Sequence, residues 1–62
     1  MNNIRKIRIK KGITQTQLAE KVGCSIGYIC HLEKGTRKNP SYNVMLKISQ
    51  VLESDVKDVF GI

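Results

Sequence analysis

Apolar residues recur along the chain at steps of three and four, with no strand-like alternation. This pattern predicts short α-helices separated by turn residues. Ile4, Ile7, Arg8 and Lys11 share one face, so a first helix is predicted from about Asn3 to Lys11, stopped by Gly12. Arg8 stands on an otherwise apolar stripe and needs a partner. Thr14 is the expected N-cap of a second helix, and Gln17 three residues on completes a capping-box pattern. Leu18, Ala19 and Val22 supply its apolar face, with Ala19 small enough for another helix to approach. Gly23 marks a tight turn that favours positive φ. Ser25 caps a third helix running to about Lys34, with Ile29, Leu32 and Glu33 on the inward side and Gly35 at its end. The segment "TRKNP" reads as a basic loop, in which Pro40 cannot continue a helix. Ser41 caps a fourth helix to about Leu52. Its apolar face is read as Tyr42, Met45, Leu46, Ser49 and Leu52, with Ile48 beside them. Asp55 is the expected cap of a last short helix, with Asp58 in its first turn and Val56, Val59 and Phe60 packing back onto the core.

The expected architecture is all-α, a five-helix bundle with one core, and residues 1–62 are read as one domain. A domain of this size is marginally stable and depends on well-packed helices. Cys24 and Cys30 are too few for a disulfide scaffold. The start "MNNIRKIRIKK" has no apolar stretch of a signal peptide. No apolar run approaches the roughly 20 residues that cross a bilayer. A cytoplasmic protein with reduced thiols and no membrane association is therefore expected.

The net charge is +6 and unevenly spread. Residues 1–38 hold nine Lys/Arg against two Glu, and residues 39–62 hold two Lys against three acids. A basic half attracts polyanions, nucleic acid above all, although solubility alone also accounts for surface lysines. Arg5, Lys6 and Lys10 fit either role.

Helices two and three, joined by a turn of about three residues around Gly23, form a helix-turn-helix over 14–34. Arg8, Gly12, "TQTQLAEKVG" (14–23), Ile29, Leu32, Glu33, Gly35, Pro40 and Leu52 together resemble the Cro/cI-type (Xre-like) helix-turn-helix DNA-binding domains over residues 4 to 60. The resemblance implies a bundle of the lambda-repressor-like type and a buried structural pair between Arg8 and Glu33. It also implies sequence-specific binding of double-stranded DNA, by a homodimer on a two-fold operator, in a transcriptional regulator of the repressor kind. Neither a cofactor, a metal nor a small-molecule effector is implied.

The third helix departs from the polar set that relatives present to DNA. At 100° per residue, Gly27, His31 and Lys34 lie opposite Ile29, Leu32 and Glu33. His31 is the candidate base reader, able to meet a guanine acceptor. Ile26 is a candidate for a thymine methyl, or else a neighbour of Tyr28. Gly27 either admits close backbone approach or is an unoptimised helix position. Tyr28 can reach a phosphate through its hydroxyl or pack by its ring. Backbone contacts are expected from Thr14, Gln15, Gln17, Ser25, Tyr28, Lys34, Arg37, Lys38 and Asn39. With His31, the two cysteines match no zinc or haem spacing. Cys30 is read as a half-exposed thiol.

Two other function classes bear on the same residues. The apolar residues Ile26, Tyr28 and Cys30 would suit a protein-interaction face, antitoxin-like or otherwise partner-binding. An enzyme has no support, because the chain offers one His, no triad and no phosphate-binding Gly loop. For a dimer surface, the segment "VKDVFGI" and exposed apolar residues such as Val44 and Val51 are candidates.

Overall fold

The computed structural model describes residues 2–35 and 40–61. Five helices follow in order: α1 (Ile4–Lys10), α2 (Gln15–Val22), α3 (Ile26–Lys34), α4 (Tyr42–Val51) and α5 (Val56–Phe60). No strand occurs among the described residues. The all-α architecture expected from the periodicity is present.

Local chemistry accounts for most helix boundaries. Thr14 and Gln17 form a reciprocal capping box at the start of α2. The Gln17 amide donates to the Thr14 hydroxyl at 3.0 Å, and the Thr14 amide donates to the Gln17 side chain at 2.9 Å. Each bond satisfies a donor that the first helical turn leaves free. Ser25 and Ser41 cap α3 and α4 by accepting from the amides of Tyr28 and Val44. Gly23 and Gly35 close α2 and α3 in the left-handed region, at φ 87° and 77°. A side chain is strained in that region, so glycine serves best there.

Asp55 occupies the N-cap position of α5, but its side chain makes no capping bond. This five-residue helix is held by packing of Val59 and Phe60 on the core. Two asparagines do the work at the other end of the chain. Asn3 donates its backbone amide to the Val59 carbonyl at 2.7 Å and its side chain to the Asp58 carbonyl at 2.8 Å. Asn2 donates to the Leu32 carbonyl at 2.8 Å and accepts from the Ile4 amide. The start of α1 is thereby tied to carbonyls in the last turns of α3 and α5, of which that of Leu32 also accepts from the Gly35 amide.

The core consists of Ile4, Leu18, Ala19, Ile29, Leu32, Ile48, Leu52 and Val59, all buried. It draws on every helix. α2 packs on α3 and α4, α4 on α5, and α1 on both α3 and α5. Three side-chain expectations are corrected. Tyr42, expected on the apolar face of α4, is the first residue of that helix and is 62% exposed. Val44 and Val51, expected to be exposed, pack half-buried against the core, so they are not free apolar surface. The exposed apolar side chain on α1 is instead Ile9, at 57%.

Ser49 is 3% exposed on the inner side of α4, and its hydroxyl has no hydrogen-bond partner among the described residues. An unpartnered buried hydroxyl loses its hydration without compensation. Ser49→Ala should therefore leave stability unchanged or raise it by up to about 1 kcal/mol in urea unfolding, whereas a loss above about 1 kcal/mol would reveal a partner for the hydroxyl.

Candidate nucleic-acid interface

The site is built from the inward side of α3 outward. Leu32 and Ile29 seat the helix in the core, and Glu33 follows with its side chain 4% exposed. A carboxylate so deep requires compensation. Arg8 supplies it from α1: Nε donates to Glu33 Oε2 at 2.6 Å and Nη2 to Oε1 at 3.2 Å. The remaining terminal nitrogen, Nη1, donates to the Ile13 carbonyl at 2.9 Å. One planar guanidinium thus joins α1, the turn before α2, and α3. Gln15, the first residue of α2, adds a bond from Nε2 to Glu33 Oε1 at 3.1 Å. Its Oε1 accepts from the Cys30 thiol at 3.2 Å. Arg8, Gln15, Cys30 and Glu33, together with Arg5 and Lys34, line a cleft of about 390 Å³.

Opposite this anchored side, Gly27, His31 and Lys34 form an exposed stripe, with Ile26 beside them at 45% exposure. Tyr28 is half-buried and packs against the core. Gly27 is not required by the fold. A Cβ built there meets only the Ser25 hydroxyl, at 4.0 Å, and no positive φ applies.

The other expected contact residues that are described lie at the starts of α2 and α3. Thr14 and Gln17 are exposed at the start of α2, although each also serves the capping box. Ser25 is exposed at the start of α3. Gln15 is half-buried, and its amide is engaged within the protein. Arg37, Lys38 and Asn39 lie outside the described residues. Cys24 is half-buried against the core, and burial pushes its thiol pKa up, which keeps it protonated and weakly nucleophilic. Among the described residues, no group of three or more His, Cys, Asp or Glu could hold a metal ion. No helix among them is long and apolar enough to cross a membrane.

Sequence reasoning missed the bond between Gln15 and Cys30. The signal lay in the two positions themselves. Gln15 opens α2 and Cys30 lies beside the outward stripe of α3, but only the approach of the two helices shows that their side chains meet.

The helix-turn-helix family profile matches residues 4–59. An HTH-type transcriptional regulator of Archaeoglobus fulgidus is 44% identical over 57 residues, spanning 92% of this chain and 80% of that protein. The HTH-type transcriptional regulator SinR of Bacillus subtilis is 36% identical over 53 residues, spanning 86% of this chain but 48% of SinR. A solved structure of SinR in complex with DNA superposes with a TM-score of 0.80 at 36% identity, covering 86% of this chain and 84% of that one.

The buried pair generates a stability prediction. Glu33→Ala leaves the Arg8 guanidinium buried without its anion and should cost about 3–5 kcal/mol, while the joint replacement Arg8→Met with Glu33→Leu should cost far less. Urea unfolding of the single and double variants measures the difference. Equal losses would show that the charges carry no special penalty.

Proposed function

The chain belongs to the helix-turn-helix family, and we propose that it is a transcription regulator that binds double-stranded DNA with α3 in the major groove. The observation that carries this reading is the exposed stripe of Gly27, His31 and Lys34 on a helix whose opposite side is clamped by Arg8, Gln15 and Glu33. A reading helix must hold one orientation while presenting its free face to base edges. The concentration of basic residues in 1–38 and the solved SinR–DNA complex support the same reading.

In the proposed complex, His31 reads a guanine acceptor and Ile26 meets a thymine methyl. Gly27 allows the α3 backbone to approach the bases closely. Thr14, Gln15, Gln17, Ser25, Tyr28, Lys34, Arg37, Lys38 and Asn39 hold phosphates and set the register without reading sequence. With so few polar readers, DNA shape supplies part of the discrimination. Residues 1–62 act as one domain in the cytoplasm. Two copies occupy a two-fold operator, with their α3 helices about one DNA turn apart. Occupying a promoter is the proposed route to repression, and it needs no cofactor or small-molecule effector.

The competing interaction-module reading loses most of its surface. Tyr28 packs on the core and the Cys30 thiol turns to Gln15. Among the described residues, Ile26 remains as the large apolar side chain exposed on α3.

Selection of bound duplexes from random DNA tests the function directly. A palindromic consensus is expected, and no enrichment at low salt would overturn the proposal. Measured on the selected site, His31→Ala should change base preference. Lys34→Ala should weaken all sequences alike and reduce the slope of log affinity against log salt by about one. An affinity that does not respond between about 50 and 200 mM salt would point to a protein partner instead. Gly27→Ala separates fold from function: it should stabilise the free domain by up to about 1 kcal/mol and weaken DNA binding. Unchanged binding would assign no role to close approach at that position.

A further inference from the structure

The cleft beside α3 holds two cations that no described residue neutralises within it. Of the residues lining it, Arg8 is matched by Glu33, which leaves Arg5 and Lys34 as surplus positive charge around Gln15 and Cys30. The amide of Gln15 is oriented by the chemistry of its two partners. A carboxylate only accepts, so the nitrogen faces Glu33; a thiol donates, so the oxygen faces Cys30. Glu33 takes one of the two hydrogens on that nitrogen. The second makes no hydrogen bond among the described residues.

We propose that Cys30 is a positioning residue for DNA. Its thiol pins the oxygen end of the Gln15 amide, so that the second N–H stays available to a backbone phosphate seated in the cleft between Arg5 and Lys34. Glu33 alone selects the nitrogen end but lets the amide swing about that single bond. The thiol adds a second point of attachment, and these two together with the bond to Cγ fix the plane. This inference rests on the DNA-binding reading above. It goes beyond the expectation of a half-exposed thiol at Cys30, and it places the Gln15 contact under the control of a residue on a different helix.

The experiment measures binding of the full chain to a random-sequence duplex of about 20 base pairs at about 50 mM salt, where phosphate contacts dominate. Cys30→Ala removes the donor, fits the space, and should weaken binding about three- to tenfold, the worth of one neutral hydrogen bond. Cys30→Ser restores a donor and should bind within about twofold of the wild type. In a Gln15→Ala background, Cys30→Ala should change affinity by less than about twofold, because the group it positions is gone. In the free protein, the side-chain amide proton and nitrogen signals of Gln15 should move in Cys30→Ala and return in Cys30→Ser, and circular dichroism shows whether each variant is folded. If the wild type binds duplex and Cys30→Ala binds equally well, this inference fails alone. The same holds if Cys30→Ala loses as much without Gln15 as with it. If the wild type binds no duplex, the DNA-binding reading fails and takes this inference with it.

Discussion

The guanidinium of Arg8 meets the carboxylate of Glu33 in the interior, and the orientation of α3 depends on that pair. Each ion alone would be costly to bury, so each confines the other to one place. Three helices converge there: Arg8 comes from α1, Gln15 from the start of α2, and Glu33 from the last turns of α3. The apolar contacts of Ile29 and Leu32 hold α3 against the core, but hydrophobic burial is non-directional and tolerates rotation about the helix axis. Hydrogen bonds to a planar guanidinium do not. The pair therefore supplies orientation, whether or not it adds net stability.

The same clamp explains why the exposed side of α3 can be so plain. Base-reading helices commonly carry amides and cations, yet here the outward stripe is Gly27, His31 and Lys34, with Ile26 beside it. A helix held in fixed register presents even a glycine at a defined place. That the fold leaves room for a Cβ at Gly27 means the position is free of internal demand. Polar side chains proposed to face DNA are also engaged within the protein. Gln15 bridges Glu33 and Cys30, and the Thr14 and Gln17 side chains close the capping box. The inward network and the proposed outward contacts thus share residues, and a change on either side is felt on the other.

The edges of the molecule follow from a different constraint. Carbonyls at helix ends must find donors, and the N-terminal asparagines provide them for α3 and α5. Lys11 and Glu53 form an exposed bridge at 3.0 Å, in which the hydrogen bond from Lys11 holds the Glu53 carboxyl below its ordinary pKa. An exposed pair of this kind contributes little to stability, because solvent and salt screen it. Its place is at the turn after α4, where Glu53 adopts a positive φ of 53°.

The helices and most of their limits were legible in the sequence. Caps, turn glycines and three- and four-residue spacing act within a few residues of chain, so Thr14 with Gln17, Gly23, Ser25 and Ser41 could be read without knowing what surrounds them. Periodicity also placed Ile29, Leu32 and Glu33 on one side of α3. Tertiary structure decided what periodicity cannot express. A helical face is buried only where another element covers it, which is why Tyr42 is exposed while Val44 and Val51 are covered. Likewise, a polar side chain turns inward only where a partner from elsewhere in the chain awaits it, as with Gln15 between Glu33 and Cys30, and Asn2 and Asn3 against the ends of α3 and α5. Spacing along the chain fixes an angle about one helix axis, and only packing fixes what lies at that angle.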